Sequence, residues 1–197
     1  MIQETLQFFA DEINQYLSRK LGNSLEARLL IGNVARLFDN DGGTQSELSE
    51  KAAMTLVNVE EDRISKQHEN YAKTLNSVVY KQPPLYINLY VLFSVNKSTY
   101  TDALQLLTLI LQFFQHRNVF TPDQYPRLDP KIQKLTVELH TLNFEQINHL
   151  WSTLGGKYLP SAVYKIRQLT IDEQEITGEG GLIKSIDISG QHKNAST

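Results

Sequence analysis

The chain has 197 residues, 41% of them hydrophobic and 21% charged, enough apolar side chain to bury one sizeable core. A formal net charge of -3 and a pI near 6.0 give no electrostatic reason to expect nucleic acid or an anionic membrane as a partner. With no cysteine at all, a disulfide framework and a thiolate metal site are both excluded. The sequence opens Met1-Ile2-Gln3-Glu4, with an acid where a secretory signal wants Lys or Arg. No apolar run reaches membrane-spanning length, so the expectation is a soluble chain with no direct membrane insertion.

In chain order, Ile2, Leu6, Phe9, Ile13 and Leu17 recur on one face and predict a helix over 2–20, with Arg19 and Lys20 in its last turn and Gly22 as its C-cap. A strand is expected over 27–37, bulged or bent at Gly32 and Asn33, and residues 39–43 read as a turn. A second strand is expected over 52–64, ending in the solvated or salt-bridged run Glu60-Glu61-Asp62-Arg63. The polar stretch 65–82 reads as a long connection, and Pro83-Pro84 then forces extended backbone.

The best-defined part of the chain runs over 83–115. Leu85, Ile87, Leu89, Val91, Phe93 and Val95 alternate with Tyr86, Asn88, Tyr90, Leu92 and Ser94, which predicts a central strand with one apolar and one mixed face. Thr99 suits an N-cap, with Asp102 near the positive end of the helix that follows. That helix is apolar well beyond one stripe, and its second stripe holds Leu106, Leu109 and Phe113. Three prolines make 118–130 irregular. A fourth strand is expected over 134–142, with Leu135, Val137 and Leu139 inward. Asn143 and Gln146 fit a capping box for a helix whose apolar side carries Phe144, Ile147, Leu150, Trp151 and Leu154, and Gly155-Gly156 ends it. A fifth strand over 162–171 changes apolar parity between Ile166 and Leu169, the mark of a bulge or of burial on both faces.

The resulting order is α-β-β-β-α-β-α-β, an α/β chain of the α+β type with a mostly antiparallel sheet flanked by helices. Two segments are expected: a domain over 1–171, and over 172–197 either an extended arm that pairs with a sheet edge or a final hairpin and tail. The segment 182–188, Leu-Ile-Lys-Ser-Ile-Asp-Ile, is the one short apolar alternation in that last stretch.

Chemistry-bearing patterns are scarce. The closest pair among His68, His116, His140, His149 and His192 is nine apart, without metal-type spacing. Glu60, Glu61 and Asp62 alternate across a strand and do not converge on one cation. Gly178-Glu179-Gly180-Gly181 lacks the Lys and the strand-to-helix context of a phosphate loop, and no nucleophile elbow is present. No catalytic residue, cofactor or metal is expected. Tyr86 and Tyr90 could stack on a ligand, which leaves a monomeric ligand-binding or adaptor domain as the alternative reading.

Several separated stretches in one order carry a resemblance. They are the opening Ile-Gln-Glu-Thr-Leu-Gln-Phe-Phe helix, Leu56-Val57-Asn58-Val59-Glu60-Glu61-Asp62-Arg63, and the Pro83-Pro84 strand through Phe93. With them go the helix over 100–114 followed by Phe120-Thr121-Pro122, and residues 143–151 leading into Leu154-Gly155-Gly156-Lys157-Tyr158-Leu159-Pro160-Ser161. Together they resemble the tail-terminator or cap proteins of extracellular contractile injection systems, phage-tail-like particles of the antifeeding-prophage type. The resemblance implies a tail-terminator fold, a structural rather than enzymatic role, and a hexameric ring that ends the inner tube and anchors the last sheath layer. It implies partners in a second copy of the chain, the inner tube protein and the sheath protein, with no nucleic acid. Assembly in the cytoplasm follows, into a particle that is released or stays attached in the cell. Candidate subunit-contact residues are Glu60, Glu61, Arg63, Tyr86, Asn88 and Tyr90, with Leu106, Leu109 and Phe113 on the helix.

Overall fold

The structure, a computed structural model, describes residues 1–22, 28–38, 47–62, 71–73, 77–81, 85–171 and 176–181. The first helix, α1 (Ile2–Leu21), forms where the apolar stripe predicts it, with Leu6, Phe9, Ile13 and Leu17 buried. Gly22 follows at a φ of 84°, a left-handed conformation that costs glycine least. The strand expected over 27–37 is confined to β1 (Leu29–Ile31). Beyond Gly32 the chain turns into a 3-10 helix (Val34–Phe38) instead. Asn33 causes the switch locally: its Oδ1 accepts from Ala35 N–H at 3.0 Å and its carbonyl from Arg36 N–H at 3.1 Å, while Val34 N–H donates to Thr55 Oγ1 at 3.2 Å.

Next comes β2 (Ala52–Glu61), and residues 63–64 of the expected strand lie outside the described residues. The polar stretch read as a connection contains two strands, β3 (Tyr71–Lys73) and β4 (Ser77–Lys81), the latter built on Val78, Val79 and Tyr80, residues that favour a pleated backbone. The central strand β5 (Leu85–Val95) leads into α2 (Tyr100–His116). Thr99 occupies the N-cap position of α2, although its side chain makes no capping bond. The proline-rich segment is irregular except for β6 (Val119–Phe120), and β7 (Leu135–His140) follows. The capping box of α3 (Phe144–Thr153) forms as expected: Asn143 Oδ1 accepts from Gln146 N–H at 2.8 Å, and Gln146 Oε1 from Asn143 N–H at 2.9 Å. The last strands are β8 (Ser161–Ile171) and β9 (Ile176–Gly181). The alternating segment 182–188 lies outside the described residues.

The chain divides into two compact units, residues 1–65 with 85–171, and residues 66–84 with 172–197. In the second unit, β4 lies between β3 and β9, antiparallel to both. In the first, six strands run in the order β1-β2-β5-β8-β7-β6; β1 and β2 are parallel and every other neighbouring pair is antiparallel. The α+β expectation with a mostly antiparallel sheet therefore holds.

Sheet twofold alternation sorts the side chains into two cores. On one face Met54, Leu89, Val91, Phe93, Val137 and Ile166 pack with the buried faces of α1 and α2. This core is strongly aromatic: Phe9 meets Phe120 edge-on at 5.0 Å and Phe114 lies 4.5 Å from Tyr164. On the other face Ala53, Leu92 and Val163 pack with Val34 of the 3-10 helix and Trp151 of α3. The parity change in β8 is a bulge: Ile87 pairs with Leu169 and Leu89 with Ile166, so two residues of β8, Arg167 and Gln168, face Asn88 alone.

Three expected orientations differ. α2 buries one stripe only, Ala103, Leu106, Ile110, Phe113 and Phe114, while Leu104 is 43% exposed, because nothing among the described residues covers its outer side. Leu139, expected inward, is 56% exposed, since β6 accompanies only the first two residues of β7. Phe144, expected on the apolar side of α3, is 92% exposed at the first turn, ahead of the point where the helix meets the sheet through Trp151.

Candidate assembly surface

The polar positions of four adjacent strands fall into register on the face that α3 and the 3-10 helix leave partly open. One cross-strand row reads Asn58, Tyr90, Lys165, Glu138 across β2, β5, β8 and β7. Glu60, which pairs opposite Asn88, joins that row through its side chain. Its Oε2 accepts from Tyr90 Oη–H at 2.7 Å and from Lys165 Nζ at 2.9 Å. Lys165 Nζ also lies 5.1 Å from the centre of the Tyr90 ring, and His140 meets that ring edge-on at 4.9 Å. Arg167 Nη1 stands 3.7 Å from Glu138 Oε1.

Electrostatics follow from these contacts. The hydrogen bond from Lys165, and after it the one from Tyr90, holds the Glu60 carboxyl below its usual 4.5, and the same bond to Glu60 raises Lys165 above 10.5. The carboxylate is therefore held in its charged form by two donors rather than poised as a base. On the opposite face, burial alone pushes the Tyr164 hydroxyl up to about 12. At the bulge, Asn88 is 3% exposed and its Oδ1 has no hydrogen-bond partner, and neither has Arg167 Nε. Both orphaned groups belong to the place where the ladder between β5 and β8 slips.

The sequence-predicted residues thus separate. Glu60, Asn88 and Tyr90 come together on one face, and the alternation of β5 places Tyr86 on that face too. Glu61 pairs opposite Ile87, which puts it on the other face. Arg63 lies outside the described residues. Leu106 and Phe113 are 4% and 2% exposed inside the aromatic core, so neither has surface to offer a neighbour, whereas Leu109 is half-buried. Sequence reasoning missed Lys165, Arg167, Glu138 and His140. Their signal was available as polar residues at one parity in β7 and β8, but only the strand order shows that the parities coincide.

Among the described residues no cluster of His, Asp and Glu could hold a metal ion, and no helix is long and apolar enough to cross a membrane. Two cavities stand out. One of about 250 Å³ lies between the end of β7 and α3, and one of about 340 Å³ is lined by Tyr16, Arg19, Lys20, Phe113, His116 and Arg117. The arrangement suits a contact surface: a charge-balanced polar row across four strands of the sheet.

Residues 4–185 match the family profile of the Pvc16 N-terminal domain. The chain belongs to the Pvc16 N-terminal domain family. Two solved structures share the fold of this family member. The first is a cryo-EM structure of the PVC sheath/tube terminator of an extracellular contractile injection system in its extended state, with a TM-score of 0.58 and 9% identity over 94% of this chain and 64% of that one. The second is a cryo-EM structure of the anti-feeding prophage cap, a tube-terminating cap, with a TM-score of 0.52 and 15% identity over 80% of this chain and 57% of that one. The chain therefore spans less than two thirds of the length of the structures it matches. Among curated proteins none matches the sequence.

Proposed function

We propose that this chain is a structural cap of a contractile injection particle, forming a ring that ends the inner tube and anchors the last sheath layer. The observation that carries the reading is the family match over residues 4–185 together with a shared fold over 94% of the chain with a sheath/tube terminator. The polar row supports it, because Glu60, Tyr90 and Lys165 bind one another and offer a preformed, charge-balanced face rather than a catalytic set. Residues 1–171 form the terminator domain in this reading and residues 172–197 an arm or final hairpin. The ring is hexameric and built from copies of this chain in the cytoplasm, with the inner tube and sheath proteins as partners. Glu60, Glu61, Arg63, Tyr86, Asn88, Tyr90 and Leu109 are its candidate contact positions.

Deleting the coding sequence in a particle-producing cell tests the reading. Electron micrographs should show tubes of uncontrolled length or tubes without sheath. Sheathed particles of normal length in the deletion would remove the proposal. A strictly monomeric protein that retains a small molecule on purification would instead favour the ligand-binding alternative.

A further inference from the structure

Arg19 and Lys20 stand in the last turn of α1, and His116 and Arg117 close α2. Cations in a last turn are ordinary for one helix, since they meet the negative end of its dipole. Here the two ends converge on the cavity of about 340 Å³, which these four side chains line together with Tyr16 and Phe113. All four are exposed, and among the described residues none of them pairs with a carboxylate. Their partners are neutral: Arg117 Nη1 donates to Tyr125 Oη at 3.1 Å, Arg19 Nε to the Gln15 carbonyl at 3.4 Å, and Lys20 Nζ lies 5.7 Å from the centre of the Tyr16 ring. Tyr16 is half-buried and held edge-on against Phe113 at 5.5 Å, so an aromatic wall backs the charged rim. In a chain whose net charge is -3, this is a local excess of positive charge around a preformed hollow. Its chemical complement is a carboxylate carried next to an apolar side chain.

The chain presents that pair elsewhere on its own surface. Phe144, at 92% the most exposed large apolar residue described, belongs to neither core. Glu145 beside it is exposed and, among the described residues, forms no ion pair. Both sit in the first turn of α3, which the capping box at Asn143 fixes. Pocket and pair cannot meet within one copy. α1 and α2 pack on one face of the sheet and α3 on the other. In addition, β6, which follows α2, pairs with the start of β7, whereas α3 begins beyond its end, six residues or about 20 Å away at ~3.3 Å each.

We propose that Phe144 and Glu145 of one copy dock into this cavity on the next copy, the phenyl ring against Tyr16 and the carboxylate among Arg19, Lys20 and Arg117. This inference rests on the ring reading above and names a contact between neighbours in the ring. A cavity of about 150 Å³ accepts benzene, so one of about 340 Å³ has room for a phenylalanine ring. An aromatic anchor seated in a pocket, with a carboxylate held by guanidinium groups, is the kind of contact on which interface energy concentrates. Donor and receiver are different surfaces of one chain, so the contact is head-to-tail and can repeat around a closed ring.

The test uses the full chain. Phe144→Ser should leave the far-UV circular dichroism unchanged, because the ring touches neither core, and should raise the concentration at which assemblies appear by about tenfold or more in size-exclusion chromatography with light scattering. Glu145→Arg should act in the same direction, and Arg117→Glu added to it should recover part of the loss. The lack of cysteine also allows a direct trap. His116→Cys is combined with Asn148→Cys, one turn on from Phe144, or with Thr141→Cys before it, which leaves both anchors in place. After oxidation at least one pair should give a ladder of covalent multimers on a non-reducing gel, absent from the single-cysteine variants. Assemblies formed equally well by Phe144→Ser and Glu145→Arg, assemblies without a ladder from either pair, or a covalent product that stops at the dimer would overturn the inference while the cap reading stands. A natural chain that stays monomeric at every concentration would overturn it together with self-assembly.

Discussion

Glu60 shows how one residue can be tied down without being buried. Its carboxylate takes donors from β5 and β8 at once, so three strands are pinned at the level of Tyr90. The pair is exposed to solvent screening, and Lys165→Met should therefore lower stability only slightly in urea denaturation. Its pH signature is more telling than its size. Because the Glu60 carboxyl is held below 4.5, its stabilisation is present above that value and is lost as pH falls through the folded-state value. Because Lys165 is raised above 10.5, its share is present below 10.5 and lost as pH climbs through the folded-state value. The stability gap between the natural chain and Lys165→Met should thus narrow at both extremes. Tyr164 adds a separate alkaline effect: buried neutral, it stabilises below 10 and this contribution fades between 10 and about 12. Tyr164→Phe should flatten that part of the profile in pH-dependent melting. Asn14 of α1 serves three main-chain groups at the entry to β1, Arg28 N–H and the N–H and C=O of Leu29. Asn14→Ala should cost about 1–3 kcal/mol and promote association through the uncovered β1 edge.

At the scale of elements, α3 is the clearest local design. Both bonds of its capping box are made, and Asn143→Ala should cost about 1 kcal/mol, measured as a lower melting temperature with an unchanged folded-state spectrum. Its end depends on Gly155 and Gly156, at φ of 108° and 78°, where Gly156 N–H donates to Trp151 O at 2.7 Å. A Cβ on Gly156 would meet open space, so the cost of Gly156→Ala, on the order of 1 kcal/mol, should come from backbone conformation alone. The two long helices differ in what they leave over. α1 buries Phe9 completely, and Phe9→Ala should cost about 3–5 kcal/mol in denaturation. α2 keeps Leu104 exposed and Leu107, Leu109 and Leu111 half-buried, an apolar flank beyond the core stripe. That surplus of apolar side chains was legible in the sequence, but which stripe would be spent inside the chain was not, because the choice depends on where α1 and the sheet lie.

At the largest scale, the six-stranded sheet carries α1 and α2 on one face and α3 with the 3-10 helix on the other, which is polar and partly open, and the Asn14 side chain meets its β1 edge. The proposed ring would draw on surfaces of this sort. Size-exclusion chromatography with light scattering should accordingly find assemblies of this chain at micromolar concentration, and mutations on the polar face should affect assembly more than stability.

Much of this was written locally. The spacing of Leu6, Phe9, Ile13 and Leu17, the alternation from Leu85 to Val95, the capping box at Asn143 and the parity slip in β8 depend on neighbours within a few residues, and each has its expected form. The order of separated stretches was also enough to indicate the terminator family that the profile match supports. Tertiary structure decided the rest. Whether Leu106 and Phe113 face a core or a neighbour, whether Lys165 meets Glu60, and whether Leu139 has a strand beside it depend on strand order and register. Those are set by contacts between residues far apart in the chain, such as Glu60 and Lys165, for which no local period carries a signal.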